Sequence, residues 1–178
     1  LRPAQEEAKS AYLEAQKPYV GKGLIHLPTG KGKTILALNI AKTLGMRTLV
    51  LVHKDDLVTG WKKDIDLCFD GKIKPGLIKA KSRVVGEYIT IATVQTISRM
   101  NKEELAGYTN QFGLVILDEC HHIGLKIFNV IDHFNARYKL WLSATPSRTD
   151  KLDFTFNLFL GGICFKYQYK EDDEDILP

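Results

Sequence analysis

Five side chains that can each hold a metal ion stand together in "LVILDECHHIG": Asp118, Glu119, Cys120, His121 and His122, directly after four apolar residues. Three chemistries use these residue types: a zinc centre, a redox centre and a magnesium site for phosphoryl transfer. Zinc takes four ligands at workable spacing. Cys120, His121 and His122 are consecutive, so regular backbone cannot aim all three at one ion, and neither Cys68 nor Cys164 has a nearby partner. The three cysteines are odd in number and far apart, without a C-x-x-C pair. That argues against a disulfide framework and for a reducing, intracellular setting. The two acids remain. An acid directly after an apolar strand, matched by a phosphate loop elsewhere, is the magnesium-binding half of a nucleoside triphosphatase. Asp118 would then hold Mg2+, and Glu119 would polarise the attacking water.

A phosphate loop is present. "LPTGKGKT" (27–34) follows the apolar run "GLIHL" and opens the stretch "KTILALNIAKTLG". Glycines there let backbone N–H groups turn towards phosphates, at the start of a helix whose dipole favours anions. Lys33 supplies positive charge for the outer phosphates and Thr34 a hydroxyl for magnesium. Pro28, Thr29, Gly30, Lys31 and Gly32 make up the rest of the cradle, and the strict G-x-x-x-x-G-K-[ST] pattern fails only at its first position, Leu27. ATP with Mg2+ is the expected ligand pair.

The elements that must position these residues follow a repeating plan. Short apolar runs, "GLIHL", "RTLVLVH", "EYITIATV", "FGLVILDE" and "YKLWLSAT", read as strands. Between them Leu36, Ile40 and Leu44 recur at helical spacing with Gly45 as a cap, and Leu57, Trp61, Ile65 and Phe69 mark a second helix face behind an Asp55 or Asp56 N-cap. "IFNVIDHF" reads as a short helix, and "PAQEEAKSAYLEAQ" as an amphipathic one with Pro3 near its start. Strands apolar on both faces, alternating with helices, indicate an α/β domain with a doubly wound, mostly parallel sheet. Ligands in such sheets bind beyond the carboxyl ends of the strands. His26 and His133 read as structural, and Trp61 as helix core rather than a base-stacking platform.

Length and composition suit one globular domain: 178 residues, 44% hydrophobic and 26% charged. No apolar run approaches the roughly 20 residues of a membrane span, and the polar start "LRPAQEEAK" has no signal-peptide core. The start without methionine and the bare "EDDEDILP" end suggest a piece of a longer chain. Net charge is +4 but uneven: residues 1–100 hold 17 Lys/Arg against 9 Asp/Glu, and residues 101–178 hold 8 against 12. A basic first half is compatible with a polyanionic partner. The acid-free run Lys72, Lys74, Lys79, Lys81 and Arg83 reads as a solvated loop, with auxiliary DNA contact as the alternative.

Asp118-Glu119-Cys120-His121 resembles the D-E-x-H box of superfamily 2 helicases and translocases, and "LPTGKGKT" resembles their motif I. "LRPAQ" is similar to the segment whose glutamine reads adenine, "LVLVHKDDLVTGW" to motif Ia, "ITIATVQTI" to the DNA-contacting motif after it, and "LWLSATPSR" to motif III. Six motifs in order over residues 1–148 resemble above all the branch holding DNA repair and recombination helicases and restriction-enzyme motors. The resemblance implies a RecA-like P-loop domain spanning 1–178, with a second RecA-like domain completing the motor. It implies that Gln5 contacts adenine through its paired amide donor and acceptor, where the residue-level alternative is an exposed helix glutamine. It implies that Ser143 and Thr145 relay the nucleotide state through His121, with a turn cap as the plainer alternative. Arg148 is a candidate phosphate contact. His53, Lys54, Thr93 and Gln95, all at strand ends, are candidate nucleic-acid contacts.

The implied function is an ATP-dependent DNA helicase motor. A duplex-DNA translocase that never separates strands, and a nucleic-acid-binding module without ATP turnover, are the alternatives. DNA is favoured over RNA by the resemblance alone, since no residue recognisably reads a 2′-hydroxyl. With half a motor, the 178 residues alone should hydrolyse ATP slowly and unwind nothing. Strong DNA-stimulated phosphate release from them would overturn this.

Overall fold

All five apolar runs become strands, and each leads at its carboxyl end into a loop or helix start. The computed structural model describes residues 1–15, 21–145 and 161–168. Helix α1 (Pro3–Ala15) precedes β1 (Lys22–His26), α2 (Lys33–Leu44), β2 (Thr48–Val52) and α3 (Asp55–Cys68). There follow β3 (Gly76–Lys79), β4 (Ser82–Val84), β5 (Ile89–Thr93) and two short helices, α4 (Val94–Ser98) and α5 (Lys102–Ala106). β6 (Leu114–Leu117) runs into a single 3-10 turn at Cys120–His122, then α6 (Leu125–Asp132), β7 (Tyr138–Ser143) and β8 (Ile163–Lys166).

These strands form one sheet in the order β4-β3-β5-β2-β6-β7-β1-β8. Among the described residues every neighbouring pair is parallel except β3 with β4. The expected doubly wound parallel sheet is therefore observed. Because the strands are parallel, the carboxyl ends of β1, β2, β5, β6 and β7 share one edge, which is where such sheets bind ligands.

Alternation of side chains divides the apolar strands between two cores. In β2, Val50 and Val52 face the layer of α1, α2 and α3, while Leu49 and Leu51 face Ile97, Leu105, Phe128 and Trp141 on the other side. The first layer buries Ala8 and Tyr12 of α1, Leu36 and Ile40 of α2, and Trp61 and Ile65 of α3. Lys139 is a charged residue inside an otherwise apolar strand. Its Nζ lies 3.1 Å from Asp132 Oδ1 at the end of α6, which also takes Lys22 at 3.0 Å. This pairing compensates the buried charge and ties α6 to the sheet.

Two local expectations are corrected, and one strand is unanticipated. The basic stretch read as a solvated loop supplies β3 and β4, with β3 parallel to β5 and two residues, Ala80 and Lys81, turning between the strands. Its turn was illegible because Ala80 takes a positive φ of 41° where Asn or Gly is the usual marker. The cap of α3 is Lys54 in extended conformation, with Asp55 and Asp56 already inside the first turn. Strand β8, which pairs with β1, is too short and too mixed in composition to have stood out.

Leu51 sits fully buried at the centre of the sheet. Leu51→Ala should lower the unfolding free energy by about 3 kcal/mol through lost burial and a residual cavity. Urea denaturation measures this; a loss below about 1 kcal/mol would contradict the two-sided core.

Candidate active site

The phosphate loop begins where β1 ends. Leu27, which breaks the strict motif, is fully buried, and its N–H donates to the Ser143 carbonyl at 3.0 Å. It acts as a continuation of the strand, so the first glycine of the pattern has no conformational task here. Gly30 and Gly32 both hold φ at 79°, in the left-handed region that glycine enters without steric cost. Gly32 caps α2 by its backbone alone, with no side-chain hydrogen bond at the cap. The positive end of the helix is thereby left to an anion.

Gln5 reaches this loop from α1. Its Nε2 donates to the carbonyls of Lys31 (3.2 Å) and Gly32 (3.0 Å), and its Oε1 accepts from the Arg2 N–H at 2.7 Å. It is 5% exposed, not the solvent-facing helix glutamine of the plainer alternative. Both ends of the amide are held by backbone. Gln5 also borders an open cavity of about 540 Å³ lined by Arg2, Lys31, Phe165 and Tyr167 among others, large enough for a nucleoside.

The acid box enters from β6, two strands away across β7. Lys33 Nζ lies 3.1 Å from Glu119 Oε1, and both side chains are largely enclosed. Glu119 Oε2 accepts from the Ala144 N–H at 3.3 Å and lies 3.4 Å from His121 Nδ1. Glu119 itself is in the left-handed region at φ 48°, unusual for a residue with a side chain and a place where backbone strain is stored. That conformation turns the chain sharply after β6.

Asp118 is 6% exposed. Its Oδ1 accepts from the Glu119 N–H at 3.0 Å and its Oδ2 from the Trp61 indole N–H at 2.9 Å. Burial raises its pKa above the ordinary carboxylate value, with the Trp61 hydrogen bond as the largest opposing influence. Trp61 was read as helix core. It is core, 2% exposed, but its polar atom belongs to the site. Only its amphipathic type hinted at this, since a buried indole N–H needs an acceptor.

The S-A-T segment closes the other side. Ser143 Oγ is 3.0 Å from His121 Nδ1, donates to the Thr145 carbonyl at 2.6 Å and accepts from the Thr145 N–H at 3.2 Å. The hydroxyl hydrogen is committed to Thr145, so His121 Nδ1 carries the hydrogen in their bond. His121 and Ser143 are brought together as expected, with Thr145 joining through its backbone. The His121 ring lies against His122 in a tilted contact at 4.1 Å between centroids, and His122 against His53 at 4.7 Å. This chain of rings connects the acid box to the end of β2. His122 had no role in the sequence reading, because ring contacts across strands leave no local pattern.

His53, Lys54, Thr93 and Gln95 line one open concavity, joined by Lys79 from the basic run, for which DNA contact is the alternative reading, and by Arg99, which no sequence pattern marks. Asp55 and Asp56 also line it, and Asp55 pairs with Lys79 at 2.9 Å. Gln95 Nε2 donates to the His53 carbonyl. The Thr93 hydroxyl is engaged with Thr96 at 2.8 Å and the residue is 3% exposed, so any contact it makes outward is through neighbouring groups. Arg148 and Pro146 lie outside the described residues.

Magnesium is a hard cation that keeps several waters and binds through one or two carboxylates plus substrate phosphates. The donor set fits: a carboxylate on Asp118, a hydroxyl on half-buried Thr34, and a phosphate cradle beside them. Among the described residues no group of three or more His, Cys, Asp or Glu comes together as a protein-only metal site. Cys120 is buried in the second core.

Residues 1–148 match the family described as type III restriction enzyme, res subunit. The chain belongs to this family. Among curated relatives, it is 34% identical to DNA 3'-5' translocase XPB2 of Sulfurisphaera tokodaii over 172 residues, covering 96% of the chain and 36% of the relative. It is 29% identical to the general transcription and DNA repair factor IIH helicase/translocase subunit XPB of Danio rerio, covering 96% and 23% respectively. The chain thus spans about a third or less of the curated relatives described. Its fold is shared with the UvsW helicase of bacteriophage T4 (TM-score 0.72, 19% identity, 92% of this chain and 59% of that one). It is shared equally with the Sulfolobus solfataricus SWI2/SNF2 ATPase core (TM-score 0.73, 17% identity, 90% and 35%). The expected likeness to superfamily 2 helicases and translocases and the RecA-like fold are both borne out. No helix among the described residues is long and apolar enough to cross a membrane.

His26, His53 and His121 all have pKa values below the ordinary histidine value, each chiefly because burial disfavours the charged ring. Below about pH 6.5 the unfolded chain therefore takes up protons first. The stability these rings contribute is present above that pH and is lost as pH falls through the folded values. Asp118, with its raised pKa, acts in the opposite sense at lower pH. The urea midpoint should fall between about pH 7.5 and about pH 5.5. A level or rising midpoint would reject the buried, neutral histidines.

Proposed function

We propose that this chain is the ATP-binding motor domain of a DNA helicase or translocase, coupling Mg-ATP hydrolysis to movement along DNA. The observation that carries the reading is the 3.1 Å approach of Lys33 to Glu119, which brings the lysine that opens α2 after the phosphate loop against the acid box that follows β6. Two segments 86 residues apart in the chain meet with complementary charge at the edge where parallel sheets bind nucleotides.

In this reading Pro28, Thr29, Gly30, Lys31 and Gly32 wrap the phosphates, and Lys33 leaves Glu119 to neutralise the outer ones. Gln5 contacts adenine at the cavity beside α1. Thr34 and Asp118 hold magnesium, which when bound offsets the charge on the transferring phosphoryl group. Glu119 then takes the proton of the attacking water, with the Ala144 N–H fixing one of its oxygens. His121, Ser143 and Thr145 link that acid to β7 and relay the state of the site to a second RecA-like domain, which completes the motor. Residues 1–178 form a single helicase ATP-binding domain. His53, Lys54, Thr93 and Gln95, with Lys79 and Arg99 nearby, form the DNA-facing concavity. The names of two curated relatives, a DNA 3'-5' translocase and a transcription and DNA repair factor helicase/translocase subunit, support DNA as the partner. Another relative, of 27% identity, is named a putative ATP-dependent RNA helicase.

A second reading is a duplex-DNA translocase that does not separate strands. It is favoured by the 34% identical relative described as a DNA 3'-5' translocase. A strand-displacement assay distinguishes the two.

Glu119→Gln keeps the shape of the side chain and removes its basicity. In a protein carrying both motor domains, it should reduce DNA-stimulated phosphate release by about 100-fold or more while ATP binding persists. Unchanged ATPase would sink the catalytic assignment and leave a nucleic-acid-binding module without turnover.

A further inference from the structure

The α3 face marked by Leu57, Trp61 and Ile65 would be satisfied, as packing, by any large apolar side chain at its centre. An indole brings a complication, because Nε1 donates one hydrogen bond and accepts none. Buried at 2% exposure, Trp61 needs a specific acceptor, and that acceptor is the Asp118 carboxylate at 2.9 Å, itself 6% exposed. Asp118 Oδ1 takes the Glu119 N–H at 3.0 Å. Each carboxylate oxygen therefore receives one donor, which fixes the plane of the group against rotation. Each oxygen keeps a further lone pair for other partners.

We propose that Trp61 is a positioning residue for the magnesium site: its indole N–H holds the Asp118 carboxylate in the orientation that receives the ion. The inference rests on the reading of Asp118 as the metal acid. Groups that hydrogen-bond to metal ligands orient them, and their loss costs about 10- to 100-fold in metal affinity or activity. Trp61 has the further property of belonging to a different element from the acid box. Helix α3 begins at Asp55, directly after His53 and Lys54, and Trp61 lies about two turns along it. A displacement of α3 at the DNA-facing concavity would move the donor that holds the metal acid.

Trp61→Phe keeps an aromatic ring in the core but removes the N–H and part of the ring volume, so metal-free ADP affinity serves as the control for packing. Calorimetric titration of Mg2+ in the presence of ADP should show the half-saturating Mg2+ concentration raised by about tenfold, with metal-free ADP affinity within about twofold of wild type. An unchanged Mg2+ dependence in a folded Trp61→Phe chain overturns the proposal. Should Trp61→Phe fail to fold, Trp141→Phe removes the other of the chain's two tryptophans and leaves Trp61 as the sole indole fluorophore. Trp61 emission should then shift when Mg2+ is added to the ADP-bound chain, and an unresponsive emission overturns the proposal. Asp118→Asn separates the two levels. If it retains the wild-type Mg2+ dependence, the underlying assignment of the metal acid fails; if it loses that dependence while Trp61→Phe keeps it, only the positioning role fails.

Discussion

The separation of β1 from β6 by a single intervening strand is the constraint on which the site depends. Parallel neighbours lie about 4.8 Å apart, so the ends of β1 and β6 are roughly 10 Å apart. An extended lysine and a glutamate can close that gap together, and Lys33 and Glu119 do so. If another strand intervened, the lysine could not reach. Strand order thus sets the width of the nucleotide site before any side chain is considered.

The strand between them also contributes chemistry. Because β7 pairs with both β1 and β6, its carboxyl end emerges in the middle of the site. Ala144 presents its N–H to Glu119, and Ser143 presents its hydroxyl to His121. Glu119 is held at once by a lysine from one side, a backbone donor from the centre and its own left-handed backbone. These are alternatives to water for a charge that is largely enclosed, and each belongs to a different element. A change in any of those elements reaches the acid through a short, direct contact, the physical requirement for coupling nucleotide state to movement.

Much of this was legible from residue order. The five main strands, the phosphate loop, the acid pair and the S-A-T segment all stand out because each is local. An apolar run of five residues, a glycine at a turn and an acid after a strand each carry their meaning within a short window. The departure at Leu27 was visible, and its cause, continuation of the strand, was not. Gln5 was singled out for the base. That it also grips the carbonyls of Lys31 and Gly32 depends on how α1 lies across β1, for which no local pattern exists. The hairpin of β3 and β4 was hidden by a turn at Ala80-Lys81 that carries none of the usual residues.

By itself, the sequence determined which residues are candidates to hold phosphate, metal and proton, since residue type and short-range spacing carry that information. The tertiary structure alone decided which side chains share those tasks. Trp61 donates to Asp118 across 57 residues, and His122 bridges His121 to His53 across two strands. Contacts of this kind arise from how the sheet stacks its strands and how α3 lies upon it. Their energies depend on burial and direction, and neither exists until the chain has folded.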